Sequence, residues 1–221
     1  MKILIATSNP HKLEEIGAIA QAQRLNTQFV GLSDIGLQVP EPVEDQPAFE
    51  GNARLKAEYY ANASGMPCLA DDSGLEVDAL GGAPGVFSAR YAGADGGRAI
   101  ADPANNEKLM AELGSTPAEQ RTARFVCAMA FAMPESENTA DQTVVLRGVF
   151  EGRIITPDQA QDPQHPAKGC GLNGFGYDPL FWLAEQGCTS AELSPEQKNA
   201  MSHRGNATRA MLTQLQQHGT L

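Results

Sequence analysis

Lys2-Ile3-Leu4-Ile5-Ala6-Thr7-Ser8-Asn9-Pro10-His11-Lys12-Leu13 decides how the rest of the chain reads. Residues 2–6 form a short apolar run bounded by a polar turn, as in a buried strand. Leu13, Ile16, Ile19 and Ala20 then recur at helical spacing. Ser8 or Asn9 is placed to cap that helix, and Pro10 suits its first position, where the missing N–H would have no partner anyway. The pattern is a βα unit. A helix N-terminus that directly follows a strand presents free N–H groups and a positive dipole end, and Lys12 adds a full charge one turn in, a combination that suits phosphate. The glycines of a Walker loop or of a dinucleotide fingerprint are missing, which disfavours both of those folds.

Outward from this unit, Phe29 to Leu32 and Ile35 to Val39 read as short extended pieces, and Pro40 to Pro47 as an exposed, acid-rich loop. From Ala48 to Asn62 the pattern is helical, with Ala53, Ala57 and Tyr60 on one side and Asn52 and Lys56 one turn apart on a shared face. Cys68 to Ala70 and Leu75 to Val77 read as extended segments flanking an acidic turn, followed by a glycine-rich loop at Gly81 to Gly85. Asn105 to Leu113 reads as a helix. Phe125 to Met133 and Thr143 to Phe150 are strand candidates joined by a polar loop, Pro134 to Gln142, as in a long antiparallel hairpin. Residues 157–174 read as an irregular loop. Ser194-Pro195-Glu196-Gln197 is a capping-box helix start, and Ala207, Met211, Leu212 and Leu215 mark a terminal helix. The sum is an α/β protein with a mixed, partly antiparallel sheet, expected to form a single domain over residues 1–221.

Sixteen basic residues against 27 acidic ones give a net charge of −11, which repels nucleic-acid polymers and anionic membranes. With 221 residues and 42% hydrophobic content the chain can build one good core. The start Met-Lys-Ile-Leu-Ile-Ala has one cation and a short apolar run, unlike a signal sequence or a membrane span, so a cytoplasmic location is expected. Cys68, Cys127, Cys170 and Cys188 lie far apart with no C-x-x-C pair, which reads as reduced, mostly buried thiols rather than a zinc site or disulfides.

Asp71 and Asp72 follow an apolar stretch, and in an extended chain their side chains point to opposite faces, so one of them is expected in a site. A Mg²⁺ centre uses one or two carboxylates plus phosphate oxygens and water, and the loop holding Glu41, Glu44 and Asp45 can supply the second. An Asx-type turn before Gly74 is the local alternative. Gly174-Phe175-Gly176-Tyr177-Asp178-Pro179 sets two aromatics among glycines, where backbone can approach a flat ligand and a ring can stack on it; an aromatic core pair is the simpler alternative. Ser202 and His203 are sequence neighbours and do not make a nucleophile–base pair. By local spacing His11, His165 and His218 are surface residues.

In order along the chain, Ile5 to Lys12, Phe49 to Ala57, Leu69 to Gly74 with Ala83 to Gly93, Gly174 to Phe181 and Ser202-His203-Arg204-Gly205 resemble the inosine triphosphate pyrophosphatase family. The resemblance implies Mg²⁺-dependent hydrolysis of dITP, ITP and XTP to monophosphate and pyrophosphate. It also implies a homodimer and an elongated mixed sheet whose flanking helices form two lobes around a central cleft. By the same resemblance Asp72 is the proton acceptor and a metal ligand, and Glu44 the second metal carboxylate. The substrate would be bound by Thr7, Ser8, Asn9, Pro10, His11 and Lys12, by Lys56 and Ser73, by Phe175, Gly176, Tyr177 and Asp178, and by Lys198, His203 and Arg204. A pyrophosphatase for another modified nucleotide and a nucleotide-binding module without hydrolysis are the alternatives.

Overall fold

The computed structural model describes residues 1–23, 27–135 and 143–220. A seven-stranded sheet runs in the order β2-β1-β3-β4-β5-β6-β7. Its strands are β1 (Lys2–Ile5), β2 (Gln28–Gly31), β3 (Cys68–Val77), β4 (Thr122–Ala132), β5 (Val144–Ile154), β6 (Phe181–Leu183) and β7 (Cys188–Thr189). The helices are α1 (Pro10–Ala22), α2 (Phe49–Ser64), α3 (Arg98–Leu113), α4 (Pro195–Met201) and α5 (His203–Gln217). β1 is parallel to both β2 and β3, whereas β5, β6 and β7 pair antiparallel, so the sheet is mixed as expected. No helix of the described residues is long and apolar enough to cross a membrane.

The chain divides into two compact units. One holds Met1–Ser73, Cys127–Val149 and Ser202–Leu221; the other holds Gly74–Val126 and Phe150–Met201. In the first, Ile3, Ile5 and Leu69 from β1 and β3, Ile16 and Ala20 from α1, Cys127, Met129 and Phe131 from β4, and Met211, Leu212 and Leu215 from α5 share one buried cluster. The second is built on Leu109, Met110 and Leu113 of α3 with Phe125, Phe150 and Phe181, whose rings pack with centroids 4.5 and 5.5 Å from that of Phe181.

Register positions the site in the first unit. Leu4 lies opposite Cys68 and Ile5 opposite Leu69 in parallel pairing, and Ala6 N–H continues the ladder to the Leu69 carbonyl at 2.8 Å. Two residues further on, the turn that opens α1 runs alongside Asp71. Sites of open α/β sheets lie at these carboxyl ends of parallel strands.

Four expectations are corrected. Asp71-Asp72-Ser73-Gly74 is the middle of one continuous strand, β3, not a turn between two. Residues 33–35 form a 3-10 turn, where the extended segment at Ile35 to Val39 was expected to begin. α3 starts at Arg98 and contains Pro103, so the helix is one and a half turns or more longer than the segment read from Asn105. Residues 157–159 and 166–168 are 3-10 turns within the loop read as irregular. Most of the expected hairpin loop, residues 136–142, lies outside the described residues.

α5 crosses β5 at Gly148, where an added Cβ would overlap the His203 carbonyl oxygen and lie 2.5 Å from the Ala207 nitrogen. Gly148→Ala is therefore expected to push the start of α5 off the sheet and destabilise the protein by about 1–3 kcal/mol, measured by chemical denaturation.

Candidate active site

In the first unit, Asn9 caps α1: its Oδ1 accepts from His11 N–H at 3.1 Å, and Thr7 Oγ1 accepts from Asn9 N–H at 3.1 Å. Pro10 is the first helical residue, and Ser8, Pro10 and His11 are exposed. The capped N-terminus projects Lys12 onto Asp71, with Nζ 2.9 Å from Oδ2. The same oxygen receives Arg204 Nε at 3.4 Å and faces the Cys127 thiol at 3.8 Å. Arg204, 1% exposed, also pairs through Nη1 with Glu15 of α1 and donates through Nη2 to Ser73 Oγ at 3.0 Å. Burial opposes ionisation of Asp71, but Lys12 and Arg204 outweigh it and hold its carboxyl well below the usual carboxylate range. Burial likewise opposes the charge on Arg204, and Asp71 with Glu15 raises its pKa in spite of it.

Asp72 meets different partners. Its Oδ2 accepts from Asn52 Nδ2 at 3.1 Å, and its Oδ1 lies 3.5 Å from Lys56 Nζ. That ammonium is also 3.1 Å from Glu44 Oε2, so one cation joins two carboxylates. The acidic loop is tied to α2 at three points: Tyr59 Oη donates to the Pro40 carbonyl at 2.8 Å, Glu44 meets Lys56, and Asn52 Oδ1 accepts from Gln46 N–H at 3.0 Å. Burial raises the Asp72 pKa; Lys56 opposes this and Glu44 adds to it. Burial also works against the charge on Lys56, yet Asp72, Asp71 and Glu44 leave its pKa raised. Neighbouring carboxylates are thus driven in opposite directions, the pattern by which acid–base roles are divided.

His203 opens α5 behind its cap Ser202, whose Oγ accepts from Gly205 N–H at 3.1 Å; both are buried.

In the second unit, Asp178 organises the aromatic turn. Its Oδ2 accepts from Phe175 N–H at 2.8 Å and lies 2.5 Å from Lys198 Nζ of α4, while Oδ1 accepts from Ser190 Oγ at 2.6 Å. Lys198 and Asp178 are buried together, and Lys198 Nζ lies 5.4 Å from the Phe175 ring centroid. Tyr177 points inward, 4% exposed, donating to the Ser88 carbonyl at 2.8 Å. Gly174 has φ +78°, and a Cβ there would overlap Asp178 Oδ2 and sit 2.7 Å from Lys198 Nζ, so only glycine lets the turn close around this ion pair.

The model of the Ham1 family matches residues 3–214. This chain belongs to the Ham1 family. Relatives named dITP/XTP pyrophosphatase include one from Vibrio parahaemolyticus, 40% identical over 97% of this chain and 96% of its own, and one from Exiguobacterium sibiricum, 44% identical over 96% and 95%. Among solved structures, a HAM1 protein from Coxiella burnetii matches with a TM-score of 0.79 at 35% identity, covering 98% of this chain and 99% of its own. The mixed sheet with flanking helices is thus the Ham1 fold.

Within that fold, the first unit brings together the Asn9–Lys12 segment, Asp71, Ser73 and Arg204, and beside them Glu44, Lys56 and Asp72. The second brings together Phe175, Gly176, Asp178 and Lys198. Asn52, Glu15 and Asp71 also belong to these clusters; by sequence Asp71 is a candidate with Asp72 for the carboxylate of a site, while Asn52 and Glu15 have no role. Asn52 carried a signal, since it shares a helix face with Lys56. Glu15 carried none beyond its place one turn after Lys12.

Because the Asp71 pKa is depressed in the folded state, its contribution to stability is complete above the ordinary carboxylate pKa of about 4 and is lost only as pH falls below it. Asp71→Asn leaves Lys12 and Arg204 facing an uncharged group in a buried site, at an expected cost of about 3–5 kcal/mol. In urea titrations the gap between wild type and variant should stay constant from about pH 8 to pH 5 and narrow below about pH 4.

Proposed function

We propose that this chain hydrolyses deaminated purine nucleoside triphosphates (dITP, ITP and XTP) to monophosphate and pyrophosphate, keeping hypoxanthine and xanthine out of DNA and RNA. The observation that carries the reading is the pair Glu44 and Asp72 joined by one ammonium, beside a capped helix N-terminus bearing a second lysine. The names of the relatives supply the substrate class.

The chemistry of the donor set fits a hard divalent cation. Glu44 and Asp72 offer carboxylate oxygens only, and no group of three or more His, Cys, Asp or Glu able to hold a metal occurs among the described residues. Mg²⁺ is commonly held by one or two carboxylates with substrate phosphates and water, so this pair suits a metal that arrives with its nucleotide. When bound, the cation supplies charge neutralisation and Lewis acidity at the phosphate oxygens.

The residues then divide the work. The N–H groups opening α1 and the Lys12 ammonium bind phosphate oxygens, with Thr7 to His11 forming the turn around them. Asp71 and Arg204 keep Lys12 in place, and Ser73 lies between that cluster and the catalytic carboxylate. Asp72 orients a water and accepts its proton as the water oxygen bonds to the α-phosphorus, while the bond from that phosphorus to the pyrophosphate oxygen breaks. Its bonds to Asn52 and Lys56 fix the orientation of the carboxylate that takes the proton. Lys56 shifts part of its charge from the carboxylates to the phosphates as they bind, stabilising charge on the departing pyrophosphate.

For the base, Phe175 supplies a ring face, and Lys198, oriented by Asp178, supplies a donor suited to the 6-oxo group of hypoxanthine and xanthine. His203 is assigned to the same recognition. Adenine presents an amino group instead and would leave a buried donor unpaired. The reading includes a cytoplasmic homodimer of one catalytic domain per chain, without nucleic-acid polymer or membrane partners, in keeping with the −11 net charge.

Incubation with dITP, XTP, dUTP, ATP and GTP in Mg²⁺ is expected to release pyrophosphate rapidly from dITP and XTP only; orthophosphate release, or indifference to the base, would reject the proposal. Asp72→Asn should lower kcat by about 10²–10⁴-fold with the thermal transition retained. Glu44→Gln should raise the Mg²⁺ concentration needed for half-maximal rate.

A further inference from the structure

Arg98, Asp102 and Asn106 recur every fourth residue on α3 and so share one face of that helix. All three meet the same short turn. The Arg98 guanidinium carbon lies 4.3 Å from the centroid of the Phe175 ring. Asp102 Oδ2 accepts from Gly176 N–H at 2.9 Å, and Asn106 Nδ2 donates to the Gly176 carbonyl at 3.2 Å. Both backbone polar groups of Gly176 are therefore held by side chains of a single helix. With Phe175 N–H already fixed on Asp178, rotation about the bonds that aim the Phe175 ring is restrained from both sides.

Two further observations separate this arrangement from ordinary packing. The turn borders a cavity of about 810 Å³, also lined by Asp102, Asn106, Met110, Pro166 and Leu172, so on that side the Phe175–Gly176 peptide is backed by open space. Asn106, moreover, is 6% exposed, and its Oδ1 has no hydrogen-bond partner among the described residues. A buried acceptor left unsatisfied costs stability, and what the amide gains in return is its bond to the Gly176 carbonyl in the aromatic turn.

We propose that Arg98, Asp102 and Asn106 are positioning residues for base recognition, holding the Phe175 ring at the angle that accepts a flat purine. The inference rests on the reading of Phe175 as the platform for the base. All three make these contacts with the aromatic turn, so their influence falls on binding and selectivity and not on the hydrolytic step.

The test is steady-state kinetics on dITP and dATP with the full-length protein. Asn106→Ala and Asp102→Ala should each raise KM for dITP roughly tenfold, as the loss of one hydrogen bond in a binding element would, with kcat within about twofold of wild type and reduced preference for dITP over dATP. Asp102→Asn keeps an acceptor for Gly176 N–H and should restore most of the loss. Arg98→Gln, at a half-exposed position that does not threaten the fold, should raise KM about threefold. Phe175→Ala serves as the reference, and in its background Asn106→Ala should add less than about twofold, because the clamp then has no ring to aim. A KM unchanged in the α3 variants but raised in Phe175→Ala overturns the clamp and leaves the platform standing, as does full additivity in the double variant. A KM unchanged in Phe175→Ala overturns the platform itself. If the Asn106 and Asp102 variants fail to fold, an unchanged KM in Arg98→Gln overturns the proposal.

Discussion

The buried carboxylate of Asp71 is the constraint on which the first unit depends. Taking it out of water is costly, and only cations brought in from elsewhere offset that cost. Lys12 comes from α1 and Arg204 from α5, and Arg204 is itself buried, so it draws in Glu15 and Ser73. Three segments distant in the sequence, α1, β3 and α5, are thereby committed to one arrangement of charges. Apolar packing between α1, α5 and the sheet brings these elements together, but it is indifferent to small slides; the ion pairs are not.

A consequence appears one residue along the strand. β3 sends Asp71 and Asp72 to different surroundings, so two adjacent carboxylates acquire opposite characters. Asp71 is locked ionised between a lysine and an arginine and serves as a strut. Asp72 shares one ammonium with Glu44, accepts from Asn52 and has its pKa raised by burial. The strut, one strand residue from the second carboxylate, keeps Lys12 at the capped start of α1. The second unit repeats the device with other residues: Asp178 holds Lys198, and the turn carrying Phe175 closes over that pair because Gly174 leaves room for it.

Much of the fold was legible where local rules act alone. The strand and capped helix at residues 2–22, the helix holding Asn52 and Lys56, and the Ser194 cap of α4 follow from apolar period and capping chemistry. Local rules failed where tertiary contacts prevailed. Asp-Asp-Ser-Gly reads as a turn because these residues favour turns, yet in β3 neighbouring strands and incoming cations hold it extended. The helix read from Asn105 begins instead at Arg98 and runs through Pro103, held by its buried Leu109, Met110 and Leu113 and by its grip on the aromatic turn.

The sequence by itself determined the chemical inventory: a capped helix start with a lysine, paired carboxylates after an apolar run, a lysine one helical turn from an asparagine, and aromatics set among glycines. These are properties of neighbours, and neighbours are what a sequence displays. Which carboxylate meets which cation was decided by the tertiary structure. Asp71 and Arg204 are 133 positions apart, and so long-range a pairing is set by sheet register and helix packing, not by any local preference.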